Sequence, residues 1–136
     1  DLRKNSGLVY SVGSSLQAGR TRGAYFIQYA SDPQNVSKAA NMVVNEIKSM
    51  QTEPARPDEL VRVKALLLRQ IPLNESSVDD IAHGLIGRVD LDLPLDEPTI
   101  AAKRYIELGP AEVQAAFQKW LRPDDLVRVS EGPTPQ

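Results

Sequence analysis

Arg3 and Tyr10 stand seven positions apart, with Gly7 between them. A guanidinium is a permanent cation with a fork of N–H donors, and a phenol is a neutral donor at pH 7. Two such donors converging on a carbonyl stabilise the charge that develops on its oxygen during acyl transfer. The same spacing also suits an exposed arginine beside a half-buried strand tyrosine. Spacing by itself leaves both readings open.

The other polar constellations point to structure more than to chemistry. His83 follows Asp79 by four residues and Asp80 by three, a carboxylate–imidazole grouping that can orient a base or share a metal. It is the only histidine, and cysteine is absent, so no second strong ligand completes a zinc site in this chain. The preferred reading is a helix-surface histidine beside capping acids. Gly7, Gly13, Gly19 and Gly23 lack the spacing of a nucleotide-binding loop and no helix follows them; they read as turns and strand twist. Arg20 and Arg22 sit in a polar loop where an anion could meet them, although a solvated loop is the plainer reading. Asp90, Asp92 and Asp96 lack the glycine and terminal glutamate of a calcium loop.

Composition narrows the field further. The 136 residues suit one domain, and 41% hydrophobic with 25% charged residues is ordinary for a globular chain. Sixteen Lys and Arg against eighteen Asp and Glu leave a net charge of -2, which argues against a nucleic-acid partner. No apolar run reaches the roughly 18 residues of a membrane span. The absence of cysteine excludes disulfides and thiolate nucleophiles.

The elements that must position Arg3 and Tyr10 come next. Residues 8–16 and 23–30 are rich in β-formers, with the polar loop 17–22 between them, and predict a hairpin. In the second strand Tyr25, Ile27 and Tyr29 share one face, and Ala24, Phe26, Gln28 and Ala30 the other. Helical stripes follow: Val36, Ala39, Ala40, Val43, Ile47 and Met50; then Leu60, Val63, Leu66, Leu67 and Ile71, starting at Pro57 and ended or kinked by Pro72. Ser76 followed three residues later by Asp79 predicts a cap for a third stripe of Val78, Ile81, Ala82, Leu85 and Val89. A short helix around 98–108 turns Ile100, Ala101 and Ile106 inward. A fifth carries Val113, Ala116, Phe117, Trp120 and Leu121. Residues 126–130 alternate and predict a last strand. The expected fold class is α+β: a two-layer sandwich, with a small antiparallel sheet and helices packed on one face. Three strands make a thin sheet. Together with the abrupt opening at Asp1, this predicts a partial domain over 1–136 with a strand upstream.

Leu2-Arg3-Lys4-Asn5-Ser6-Gly7-Leu8-Val9-Tyr10-Ser11-Val12 resembles the Leu-Arg…Gly-Leu-Ala/Val-Tyr-Ser/Ala-Val segment of the insulinase-like (pitrilysin, M16) metallopeptidases. The similarity continues through Asp32-Pro33-Gln34-Asn35-Val36, Glu59-Leu60 with Lys64, and Leu73-Asn74-Glu75-Ser76. It closes at Trp120-Leu121-Arg122-Pro123-Asp124-Asp125-Leu126. In that family two homologous halves form a chamber; one half holds the inverted zinc motif H-x-x-E-H, and the other holds the arginine–tyrosine pair. This chain resembles the second half only, since Ile81-Ala82-His83-Gly84-Leu85 is not the zinc motif. It departs from the family at Gly109, where Ser or Thr often precedes the proline.

The resemblance implies a non-zinc-binding C-terminal domain of a zinc metallopeptidase that helps bind peptide substrate and close the chamber. Arg3 and Tyr10 would contact that substrate. No catalytic or metal-binding residue is expected in this chain. Zinc is expected in the homologous partner half, whether fused or separate, and bacterial relatives suggest a periplasmic setting. Self-association through an open sheet edge is also expected. The alternative is a non-catalytic scaffold or interaction subunit of the same fold.

Overall fold

The computed structural model describes residues 7–133. The element order is β1 (Ser11–Ala18), β2 (Gly23–Ala30), a 3₁₀ turn (Pro33–Asn35), then α1 (Val36–Thr52), α2 (Pro57–Leu73), α3 (Val78–Asp90), α4 (Glu97–Glu107) and α5 (Pro110–Trp120). The α+β class expected from the sequence holds. The residues fall into two compact units. Among the described residues, one holds 7–18, Gly23–Glu53 and 115–133; the other holds Gly19–Arg22 and Pro54–Gln114.

In the first unit β1 and β2 pair antiparallel, from Ser11↔Ala30 to Ala18↔Gly23. The first strand begins three residues later than the β-forming composition suggests. Leu8 and Val9 are instead buried in the core ahead of it, and Tyr10 stands at its threshold. The four-residue connection closes with Gly19 N–H donating to the Arg22 carbonyl at 2.8 Å. A side chain at Gly19 would lie 2.9 Å from that carbonyl oxygen, so the turn selects glycine there.

The strand alternation read from the sequence decides which face packs. Tyr25, Ile27 and Tyr29 are half-buried, whereas Ala24, Phe26, Gln28 and Ala30 are exposed. Against that face lies α1, whose stripe Ala39, Ala40, Val43 and Ile47 is buried. Leu8, Val9, Ala39, Val43 and Ile47 form the core, with Ile27, Tyr29, Met42, Phe117, Leu121 and Leu126 packed around it. Gln51 joins α1 to the end of α5 through polar contacts. Its Nε2 donates to the Phe117 and Leu121 carbonyls at 3.0 and 3.1 Å, two of the acceptors that a helix C-terminus leaves open. Gln118 Nε2 donates back to the Gln51 carbonyl at 2.6 Å. Trp120, expected on the inward stripe of α5, is instead 71% exposed, with the Lys119 ammonium 4.8 Å from its ring centroid.

The strand expected at 126–130 does not form: the segment carries no ladder. A strand needs a neighbour to take its N–H and C=O groups, and among the described residues none pairs with it. Only Leu126 of this segment packs on the core, while Val127 and Val129 are each 91% exposed.

In the second unit helix termini follow the local sequence. Pro57 occupies the first turn of α2, with Asp58 and Glu59 behind it where the dipole favours anions. Pro72 does not end α2. It sits in the last turn, and the helix closes after Leu73 with Asn74 N–H donating to the Gln70 carbonyl. The cap of α3 lies one residue beyond the Ser76–Asp79 spacing: the Ser77 hydroxyl accepts from Asp80 N–H at 3.1 Å and donates to its carboxylate at 2.6 Å. At α5, Gly109 has no side chain to cap with. Glu112 supplies the other half of a capping box, accepting from Gly109 N–H at 3.0 Å.

Which apolar residues are covered differs from the stripes. On α2 Leu60, Lys64, Leu68 and Ile71 are half-buried, while Val63, Leu66 and Leu67 are exposed. The Lys64 ammonium donates to the Ile106 carbonyl at 2.8 Å, which tethers α2 to α4 and turns that side inward. Tyr105 rather than Ile106 is the covered residue at the end of α4. Arg88, mostly buried, bridges Glu75 at 2.5 Å and donates to the Leu95 carbonyl at 2.9 Å. No helix among the described residues is long and apolar enough to cross a membrane.

Candidate functional site

Tyr10 is 66% exposed and holds its place through two contacts. Its backbone N–H donates to the Ala30 carbonyl at 2.7 Å, which ties it to the end of β2. Its hydroxyl donates to Asp32 Oδ1 at 2.8 Å. The hairpin register makes this pair: one step past Ser11↔Ala30, Tyr10 lies level with residues 31–32. Asp32 does not stand out in the sequence as chemistry, yet extending the register one residue finds it. Arg3, the other member of the pair, lies outside the described residues.

The carboxylate sets the phenol's properties. The hydrogen bond to Asp32, and then its charge, hold the Tyr10 pKa above the ordinary tyrosine value, because a phenolate there would lose the bond and face a like charge. The sign follows: this interaction favours the folded state below the ordinary phenol pKa and is lost as pH rises through the elevated value. Of the four tyrosines, Tyr10 is expected to ionise above its ordinary value, and Asp32→Ala is expected to return it towards about 10. Spectrophotometric titration of the wild type, Asp32→Ala and Tyr10→Phe measures this. Superimposable curves for wild type and Asp32→Ala would show that the pair does not persist in solution.

The remaining candidates resolve into structure. The His83 ring is exposed, and its Nδ1 lies 2.8 Å from the Asp79 backbone carbonyl. A carbonyl only accepts, so Nδ1 carries the proton and the carboxylates of Asp79 and Asp80 are not its partners. Asp80 serves the α3 cap instead. Arg20 pairs with Asp92 at 2.5 Å, both side chains about two-thirds exposed. This occupies one of the two arginines that the sequence offers to an anion and places Asp92 in an ion pair rather than a metal loop. Among the described residues no cluster of His, Asp or Glu could hold a metal ion.

The exposed phenol at the threshold of β1 lies inside the segment that connects this chain to known proteins. Residues 1–67 match the family model described as the peptidase M16 inactive domain. No curated protein matches. A crystal structure of a peptidase M16 inactive domain from Pseudomonas fluorescens shares the fold with a TM-score of 0.77, at 22% identity over 90% of this chain. The present chain spans 29% of the length of that structure. The family model covers the Tyr10 segment, and the hairpin-plus-helix fold is shared beyond it; the chain is thus similar to the M16 peptidase inactive domain in sequence over its first 67 residues and in fold over most of its length.

Proposed function

We propose that this domain is the non-zinc-binding half of an M16-type zinc metallopeptidase, where it binds peptide and closes the chamber opposite the metal. The observation that carries this reading is Tyr10. It is solvent-facing, positioned by β2 and Asp32 rather than by the core, and lies within residues 1–67 of the family match. A side chain held this way is available to a ligand without disturbing the fold. Arg3 and Tyr10 contact substrate backbone; zinc and its activated water belong to the homologous half.

The test separates the halves. The 136-residue chain alone is expected to retain no stoichiometric zinc and to hydrolyse no peptide, because one histidine and no cysteine leave too few strong ligands. Elemental analysis and a quenched-fluorescence peptide assay measure both. One tightly held zinc per chain, or chelator-sensitive hydrolysis that follows the chain through every column, would overturn the reading.

A second reading, a scaffold or interaction subunit, draws on α3. Val78, Ile81, Leu85 and Val89 recur at helical spacing and all are exposed, Val78 at 81%. Such a stripe suits a protein partner. Binding of the zinc-bearing half without any gain of peptidase activity favours this second reading.

A further inference from the structure

The resting position of Tyr10 is set by a carboxylate that the local backbone does not use. Asp32 stands at the N-cap of the 3₁₀ turn Pro33–Asn35, in extended backbone at φ -64° and ψ 149°. Aspartate is favoured at such positions because its side chain accepts from the free N–H groups of the following turn. Here it makes no capping hydrogen bond. The turn closes through the main chain instead, with Asn35 N–H donating to the Asp32 carbonyl at 2.9 Å. The carboxylate is given to Tyr10, whose hydroxyl donates to Oδ1 at 2.8 Å.

Two features make Asp32 a strong and fixed acceptor. Pro33 restricts the residue before it to extended backbone, so the half-buried carboxylate projects from a set position. No Lys or Arg among the described residues forms an ion pair with it, so its charge is not neutralised. The phenol has one proton and gives it to one acceptor at a time. The hydrogen bond to Asp32, and then the charge behind it, hold the Tyr10 pKa above the ordinary tyrosine value, which keeps that proton on the phenol oxygen. Competition between acceptors then decides where the hydroxyl points. A hydrogen bond to a charged group is roughly twice as strong as one between neutral groups. A neutral peptide carbonyl therefore does not draw the hydroxyl from a carboxylate, whereas an oxyanion, itself charged, does.

We propose that Asp32 is a positioning residue, which holds the Tyr10 hydroxyl in the resting site and yields it only to a developing oxyanion. The inference rests on the reading of Tyr10 as a substrate contact and adds how its contribution is timed. No covalent bond changes: the O–H stays intact and turns from Asp32 Oδ1 to the oxyanion. The bond to substrate is thereby confined to the transition state. There it raises kcat, whereas a bond made equally to the ground state would only tighten substrate binding.

The test is steady-state kinetics of Asp32→Asn, Asp32→Ala, Tyr10→Phe and the Asp32→Asn/Tyr10→Phe double variant, in the peptidase assembled with a zinc-bearing homologous half. Asparagine keeps the shape and an acceptor oxygen but lacks the charge; alanine removes the acceptor. In both, the phenol is free to bond the ground-state carbonyl. KM is expected to fall about threefold to tenfold, the worth of one neutral hydrogen bond, without loss of kcat/KM. Tyr10→Phe alone is expected to lower kcat with KM unchanged. In the Tyr10→Phe background, Asp32→Asn is expected to leave KM where it was, because the hydroxyl it would release is gone. An unchanged KM in both Asp32 variants, while Tyr10→Phe lowers kcat, overturns the inference and leaves the peptide-binding reading intact. A KM shift of equal size in the double variant also overturns it, since the carboxylate then acts through something other than Tyr10. An unchanged kcat/KM for Tyr10→Phe overturns both.

Discussion

Tyr10→Phe is expected to lower kcat/KM by about 100-fold in a peptidase assembled from this domain and a zinc-bearing homologous half. Removing one donor aimed at a developing oxyanion costs about 100- to 1000-fold. The lower end applies because the phenol has a single proton and Asp32 already accepts it. The phenol therefore exchanges its charge-assisted bond to Asp32 for one to the developing oxyanion rather than gaining a bond outright. Arg3→Ala is expected to act on both parameters, raising KM and lowering kcat, because a guanidinium on the substrate backbone holds ground and transition states alike. Steady-state kinetics on the two variants separate the roles. Thermal unfolding of Tyr10→Phe is expected to match wild type closely, since the ring is exposed. An unchanged kcat/KM for Tyr10→Phe would remove Tyr10 from the substrate site and leave the scaffold reading standing.

The second large effect is on stability. Ile47 is 4% exposed at the centre of the α1 stripe, within a core that includes Leu8, Val9, Ala39 and Val43. Ile47→Ala is expected to cost about 2–5 kcal/mol, the transfer loss plus the cavity left behind. Such a loss is a large share of a typical domain's stability, so Ile47→Val, at about 0.5–1.5 kcal/mol, provides a measurable companion. Leu66→Ala on α2 removes as much apolar side chain from a residue that is 62% exposed, and is expected to change stability by no more than about 0.5 kcal/mol. Urea unfolding of the three variants tests the contrast. A Leu66→Ala cost equal to that of Ile47→Ala would mean that the exposed face of α2 is covered in solution.

Local chemistry made much of this architecture legible in the sequence. The hairpin follows from two β-rich runs around a polar loop, and β2 begins and ends where composition places it. Pro57 and the acids behind it mark the start of α2. The six-residue stripe from Val36 to Met50 predicts α1, and Ala39, Ala40, Val43 and Ile47 within it are the buried ones. Residue type and spacing single out Arg3 and Tyr10 but leave two readings open, and the family resemblance of residues 2–12 is what implies a substrate-contacting role. Helix caps were legible to within one residue: Ser76 and Ser77 offer the same hydroxyl, and only the backbone geometry chooses Ser77.

Tertiary structure decided what periodicity cannot express. A 3.6-residue stripe states that a helix has an apolar side, not that anything covers it. The α1 stripe finds the hairpin, while Val78, Ile81, Leu85 and Val89 stay exposed on α3. Likewise, alternation at 126–130 states that the chain suits a ladder, yet a ladder exists only where a neighbour supplies complementary backbone groups. The Tyr10–Asp32 bond joins residues 22 positions apart and depends on the register of a hairpin between them. The sequence by itself determined the hairpin and the five helices, their order and the presence of an apolar side on each helix. Which sides meet, and which hydroxyl meets which carboxylate, depended on non-local contacts that form only when the chain folds.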